Sequence, residues 1–252
     1  MRPFEDHFSQ GSSLYARARP AYPEALVSWL ASLVEEHHLA WDAATGSGQL
    51  ARMLVHHFPK VHASDASSAQ LSQAQSRPGV EFVLERAETP SLKDGSVGLV
   101  TVGAAAHWLD LPAFYAAVER VAAPRALLAL FSYGTRLRGC HHLQEAIQGY
   151  ADSIEPYWTE SYRVVAERYA GLPFPYERIE MPEFSAQSIG DLVQLMDLMR
   201  TWSGSMRAYE VTGVDPVAAF EDQLRWAWTQ EGPVEASRTL YWPIFGHVGR
   251  LP

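Results

Sequence analysis

The chain is predicted to be an α/β protein: a doubly wound, seven-stranded mixed sheet flanked by helices, with a helical cap drawn from its C-terminal half. Three observations predict this. Apolar runs of strand length alternate with helix-period segments from Leu39 to Ser132, the pattern of parallel strands that helices cover on both faces. A small-residue turn carrying Gly46 and Gly48 stands between the first strand and the first helix, where a doubly wound sheet opens its crevice. After Gly139 the alternation stops and helical periodicity takes over.

The elements follow in order. Leu39–Ala44 is a short apolar run holding Asp42, and Leu50–Phe58 then sets Leu50, Met53, Leu54 and Phe58 at helical spacing. Val61–Asp65 reads as the second strand, Ser67–Gln75 as the second helix, Val80–Leu84 as the third strand and Gly98–Val102 as the fourth. Leu111–Val121 is helical, with Pro112 tolerated in the first turn, and Ala126–Ser132 is the fifth strand. Helices are expected at His141–Tyr150, Glu160–Ala170, Ile189–Trp202 and Pro216–Glu231, the last opened by the N-cap Asp215 before a first-position proline. A strand is expected at Tyr176–Phe184, with Pro182 blurring its end, and a final one at Ser237–Val248, interrupted by Pro243. The chain is thus expected to form one domain: an N-terminal segment 1–30 over the site, a core 36–134, a helical cap 139–235 with one strand, and a last strand in 236–252.

Length and composition narrow the function. A chain of 252 residues buries about 70–75% of its unfolded surface and needs no staples. Acidic residues outnumber basic ones, 29 to 20, for a formal charge of −9. A protein held to a polyanion by counterion release needs a basic surface, so a nucleic-acid partner is not expected and a small molecule is. The lone Cys140 gives neither an internal disulfide nor a zinc cluster. The start MRPFEDHF lacks the apolar core of a signal peptide, and no run of 18 apolar residues occurs. A cytoplasmic protein without a membrane segment is expected. The histidine pairs 37–38, 56–57 and 141–142 are read as surface residues, since neighbours on a helix do not present both rings to one metal. No metal is expected.

The turn Trp41–Gln49 carries the functional signal. Gly46 and Gly48 lack a Cβ, so a ligand can approach the backbone closely. Asp65, at the end of the second strand, can accept from both hydroxyls of a ribose. A phosphate-binding loop would continue Gly-Lys-Ser/Thr, whereas Gly48 is followed by Gln49-Leu50. A dinucleotide site is disfavoured by Asp42, which repels pyrophosphate, although Ala51 could serve as its third small residue. S-adenosylmethionine carries no phosphate and bears a sulfonium and an ammonium, which a carboxylate at Asp42 suits. An ordinary strand-to-helix turn with an acidic cap is the plainer alternative.

Five blocks then resemble the class I S-adenosylmethionine-dependent methyltransferases, in particular the type-11 branch of trans-aconitate methyltransferase-like enzymes. They are Tyr15–Pro23, Asp42–Gln49, Ala63–Ser67 with Gln70-Leu71, Ala87-Glu88, and Ala105–Asp110 (AAHWLD). Trp202-Ser203 and Leu240–Pro243 are weaker echoes. The resemblance implies a Rossmann-like fold and S-adenosylmethionine as methyl donor, with S-adenosylhomocysteine as product. It also implies roles: Asp42, Ala44, Gly46, Ser47, Gly48 and Gln49 around the methionine part, Asp65 on ribose, Ala66 against adenine, and Ala87 with Glu88 at the adenine edge. Gly103 and Ala104 would lie under the sulfonium, and Tyr15 and Arg19 would come from a segment closing over it; Trp108 is read either as a wall of the cofactor site or as an anchor of the following helix. The chain departs from the family pattern at Ala44, where a glycine is usual, at Arg86, where an acid is common, and at Gly98, where an aspartate is common.

Methyl transfer is an in-line displacement that needs alignment and desolvation rather than a covalent residue. A carboxylate acceptor is already ionised near neutral pH, while a hydroxyl gains from a general base. His107 is the base candidate; the alternative is a histidine held structurally beside Trp108. Tyr133, Trp158, Tyr162, Trp202 and Tyr209 are expected to form an aromatic acceptor pocket, with Arg136, Arg138, Arg163 and Arg207 available to an anionic acceptor. The expected function is O-methylation of a small-molecule carboxylate or hydroxyl. An NAD-type oxidoreductase and a catalytically weak cofactor-binding interaction protein are the competing readings.

Overall fold

The structure, a computed structural model, describes residues 19–35 and 37–252. Its centre is a mixed sheet of β1 (Ala40–Ala43), β2 (Val61–Asp65), β3 (Val80–Leu84), β4 (Val97–Gly103), β5 (Ala122–Tyr133), β6 (Glu177–Ile179), β7 (Ser185–Gly190) and β8 (Arg238–Arg250). The order is β3-β2-β1-β4-β5-β8-β6, with β7 added alongside β8. The first five strands are parallel, and β8 returns antiparallel to β5. Because β1 pairs with β2 on one side and β4 on the other, the winding reverses there and a crevice opens at the strand ends.

Alternation along the strands divides the core between the two faces of the sheet. Leu99, Leu127, Ala129 and Phe131 join one cluster with Leu26 and Leu30 of α1 (Glu24–Ser32), and with Leu54 of α2 (Ala51–Leu54). Val100, Val102, Leu128 and Leu130 join the other, against Phe114, Val118 and Val121 of α4 (Leu111–Val121). Those three recur at the four- and three-residue spacing that keeps one helix face on the sheet. Asp110 caps α4 by accepting from Ala113 N at 3.4 Å. α3 (Ser68–Leu71) is one turn, capped by the Ser67 side chain.

The cap uses α5 (His141–Ser153), α6 (Glu160–Ala166), α7 (Leu192–Arg200), α8 (Ser203–Thr212) and α9 (Glu221–Thr229). Here the structure corrects several boundaries. The strand expected at Tyr176–Phe184 is only Glu177–Ile179, because Pro182 cannot extend the ladder. The missed β7 makes an eighth strand and gives the cap region two strands rather than one. Its sequence, SAQSIG, is polar, and its Ile189 is 70% exposed, so no apolar pattern announced it. Ile189 therefore belongs to a strand, and α7 starts only after Asp191, whose side chain and that of Gln194 form a reciprocal capping box.

The helix α8 was also unexpected, since SGSMRAYEVT shows little apolar periodicity. Asp215 does not start a helix at Pro216; it accepts from Val217 N at 3.0 Å, and a 3-10 turn over Ala218–Phe220 precedes α9. Pro243 does not break β8. It sits where β8 changes partner, the last residue paired with β7 before Ile244 pairs with β5. No helix among the described residues is long and apolar enough to cross a membrane.

Candidate active site

The turn after β1 is held open by backbone geometry. Ala44, Gly46 and Gly48 all take positive φ, at 54°, 58° and 77°, so Ala44 adopts the left-handed shape that its glycine counterpart would reach without strain. A Cβ at Gly48 would lie 2.5 Å from the Phe82 ring, which packs the turn from behind. A Cβ at Gly46 would have Gln70 Oε1, at 3.6 Å, as its nearest described neighbour, an ordinary contact distance. Thr45 N donates to Ser64 O at 2.9 Å, Arg52 Nη1 to Ser47 O at 2.7 Å, and Gln49 Nε2 to Pro20 O at 3.4 Å.

Two carboxylates anchor this turn. Asp65 accepts from Gly46 N on one oxygen and from Ser67 N on the other, both at 2.8 Å, so it fastens the glycine turn to the end of β2, beside Ala66. Asp42 is 1% exposed and accepts from Thr45 Oγ1 at 2.5 Å and Thr101 Oγ1 at 2.9 Å. Burial outweighs the two threonine bonds and pushes its carboxyl up to about 6. Asp42 thus lies beneath the turn rather than at its entrance. The repulsion of pyrophosphate expected from an exposed carboxylate is weakened accordingly.

After β3, Ala87 is buried, and Glu88 turns its carboxylate inward. Glu88 accepts from Asp110 N at 3.0 Å and pairs with Arg86 Nε at 3.2 Å, which ties this loop to the start of α4. The side chain of Glu88 is thus tied into the fold on both oxygens. Arg86, a departure in the sequence, finds its counter-charge in this pair.

At the ends of β4 and β5 the site changes character. Gly103 faces Tyr22: a Cβ there would lie 2.9 Å from the Tyr22 hydroxyl, whose ring makes edge contacts with Phe131 and Tyr133 at 5.2 and 6.0 Å. Ala104, at φ 54°, donates its N–H to Phe131 O at 2.8 Å. Beside it lies a cavity of about 60 Å³ reached by Arg19, His107, Trp108, Tyr133, Trp158, Tyr162 and Trp202. Trp158 and Tyr162 stack at 3.6 Å, nearly parallel, with Trp158 Nε1 donating to Ala151 O. Burial foremost, and then the charge of Arg19, push the His107 imidazole down to about 3. His107 Nδ1 lies 2.9 Å from the Tyr169 hydroxyl.

Four of the five aromatic residues expected around an acceptor thus converge. Tyr209 does not; it is 57% exposed on the far part of α8, where helical periodicity turns it to solvent. Tyr15 lies outside the described residues. Arg138 pairs with Glu183 and Arg207 is exposed, so neither joins the cavity. His141 and His142 both bring Nδ1 toward Glu145 Oε2, at 3.4 and 3.9 Å on the surface, a convergence that helical spacing had argued against. The sequence reading missed Thr45, Thr101, Phe82, Tyr22 and Tyr169 as site builders. Tyr22 stood inside the Tyr15–Pro23 block; Tyr169 lies 62 positions from His107 and carried no local signal.

The similarities to known proteins agree with this geometry. Residues 41–130 match the methyltransferase-domain family. A Dictyostelium discoideum protein, provisionally named a methyltransferase, is 30% identical over 205 residues, which is 80% of this chain and 78% of its own. The chain belongs to the methyltransferase family. A solved structure from Anaeromyxobacter dehalogenans, provisionally named a type II methyltransferase, shares 33% identity with a TM-score of 0.82, covering 92% of this chain and 97% of that one. Three uncharacterised mycobacterial methyltransferases, among them one from Mycobacterium bovis, are 32% identical over 124 residues, about half of each chain (49% and 50%). The protein is a class I S-adenosylmethionine-dependent methyltransferase.

Proposed function

We propose that this methyltransferase methylates an oxygen of a small acceptor, a carboxylate in preference to a hydroxyl, in the aromatic cavity beside Ala104. The observation that carries the reading is the cavity's lining: aromatic walls, the Arg19 guanidinium, and a histidine whose environment keeps it neutral. With its imidazole held near 3, His107 is too weak a base to take a hydroxyl proton at neutral pH. A carboxylate acceptor needs no such help. His107 then serves as a neutral wall that positions the acceptor.

In this reading Asp65 holds the ribose, and Ala66, Ala87 and the Glu88 backbone flank the adenine. The turn Ala44–Gln49, seated on Asp42, receives the methionine part. When bound, the cofactor supplies the methyl group on its sulfonium. The chain's own task is alignment: Gly103 and Ala104 form the floor, Tyr22 covers Gly103, and Trp108, Tyr133, Trp158, Tyr162 and Trp202 exclude water around the acceptor. Such positioning supplies roughly 7–11 kcal/mol of a barrier. Tyr15 and Arg19 belong to the segment placed over the cofactor by the family resemblance.

Calorimetry with S-adenosylhomocysteine and with NAD, followed by transfer of labelled methyl to matched panels of carboxylic acids and phenols, tests the reading. Binding of S-adenosylhomocysteine alone is expected. The product should release labelled methanol on mild alkaline treatment, as a methyl ester does. A base-stable product would overturn the carboxylate assignment. Cofactor binding without transfer to any acceptor would favour a binding role instead.

A further inference from the structure

The first turn of α5 carries chemistry that the crevice does not use. His141, His142 and Glu145 bring one ligand atom each into a close group, all within 4.8 Å of one another. His141 Nδ1 lies 3.4 Å and His142 Nδ1 3.9 Å from Glu145 Oε2. The two neighbouring rings meet because Glu145 stands between them. Residues three and four apart are neighbours on a helix surface, and Glu145 holds the first relation to His142 and the second to His141. All three side chains are exposed, and none lines the cavity beside Ala104.

Ring contacts hold this arrangement. The His142 ring stands edge-on to Trp226 of α9, with centroids 5.3 Å apart, and the His141 ring crosses that of His142 at 5.7 Å and 79°. The other adjacent pair in a described helical turn behaves differently. His56 Nε2 meets Arg77 Nη2 at 3.0 Å, while His57 Nε2 faces Glu24 Oε1 at 3.4 Å, so those two rings share no carboxylate. Among the described residues no other three His, Cys, Asp or Glu side chains converge in this way, and Cys140, one residue earlier, does not join the group. Zinc binds imidazole nitrogen and carboxylate oxygen at about 2.0–2.2 Å, which sets tetrahedral ligand atoms about 3.3–3.6 Å apart. The His141–Glu145 spacing already has that value. The His142–Glu145 spacing misses it by a fraction of an ångström, a shift that exposed side chains make without moving the helix.

We infer that His141, His142 and Glu145 form a surface site for one divalent cation of the zinc class, with its remaining coordination positions open to water. Two imidazoles and a carboxylate suit zinc, nickel and copper, whereas magnesium and calcium favour oxygen ligands. The N-terminus of a helix disfavours a cation by about fivefold at most. Direct bonds to three ligand atoms outweigh that, and the chain's net charge of −9 does not oppose a cation. The bound ion would clip the first turn of α5 to its own side chains. Further along the same helix, Ala151 O accepts from Trp158 Nε1. The site stands apart from the crevice, so the inference does not depend on the acceptor reading.

The test is calorimetric titration of the full chain, carrying no histidine tag, with zinc chloride and then with magnesium chloride. The buffer is held at about pH 7.5, because a ligating imidazole must be neutral. One zinc per chain is expected, with no response to magnesium. Loss of a partner behind a ligand already costs about 10–100-fold in metal affinity. His141→Ala, His142→Ala and Glu145→Gln, each of which removes a ligand, should therefore weaken zinc binding by about tenfold or more. A His56→Gln/His57→Gln variant should bind zinc as the wild type does. Unchanged circular dichroism and thermal midpoints in the metal-free variants separate loss of the site from loss of the fold. Absence of zinc binding, binding that survives the three substitutions, or an equal loss in the His56/His57 variant would overturn the inference. Zinc binding by a chain that ignores S-adenosylhomocysteine would keep this site and sink the cofactor reading.

Discussion

The two sides of the crevice are built by different means. At the ends of β1 and β2 the site is made of backbone: three positive-φ positions at alternate residues, and two amides fastened to one carboxylate. At the ends of β4 and β5 it is made of side chains, brought from Tyr22, from the 3-10 turn Ala106–Trp108, from α6 and from the start of α8. Backbone geometry can be imposed by a few residues in a row, so the first side suits the general cofactor seat proposed for it. Side chains from distant segments can vary one at a time without disturbing that seat, which is how one scaffold serves many acceptors.

This contrast can be broken by variants that act on one side only. The largest effect is expected from Asp65→Ala, which removes the anchor of two amides together with a charged acceptor. Hydrogen bonds to charged groups contribute about 1.5–3 kcal/mol each, so the affinity for S-adenosylhomocysteine should fall by about a hundredfold or more in calorimetry. An affinity within a few-fold of wild type would show that the cofactor does not use the end of β2.

Asp42 gives the next effect, through pH. Its carboxyl rises from 3.8 to about 6 in the folded protein. The protonated form therefore favours the fold, fully so below about pH 4, and this contribution is lost as pH rises through about 6. A cationic cofactor favours the opposite form. The dissociation constant of S-adenosylmethionine should weaken about tenfold between pH 7 and pH 5, while the ligand-free protein becomes more stable from this group. Asp42→Asn should flatten both profiles. A binding constant independent of pH over this range would separate Asp42 from cofactor charge.

The smallest effect belongs to Ala44. A left-handed alanine costs about 1–2 kcal/mol, and glycine gives back about 0.4–1 kcal/mol in unfolded-chain entropy. Ala44→Gly should therefore raise stability by about 0.5–1 kcal/mol, read from denaturant midpoints, with acceptor-side probes unaffected. A loss of stability would mean that the Ala44 methyl makes contacts that outweigh its strain.

Much of the first side was legible in the sequence because its signals are local. The five parallel strands read as apolar runs since both faces of each central strand are covered, and Gly46, Gly48 and Asp65 fall at fixed offsets from those strands. The shape of Asp65 as the anchor of Gly46 follows from strand neighbours, β1 beside β2. The burial of Asp42 was less legible: Thr101, which holds it, lies 59 positions away. The cap was read poorly for a physical reason. β7 borrows its order from β8 and from Ala21, which exchanges two backbone hydrogen bonds with Gln187 at 2.7 and 2.8 Å, and pairing of this kind leaves no mark on the polar sequence that accepts it.

The sequence by itself determined the doubly wound core, the turn that faces the crevice, and the class of cofactor, because periodicity and glycine placement act within a few residues. Only the tertiary structure decided which aromatic residues meet, that Tyr209 stays outside while Tyr22 enters, and that His107 is held neutral. Those outcomes depend on burial and on contacts between segments far apart in the chain, and neither is a property of a residue's immediate neighbours.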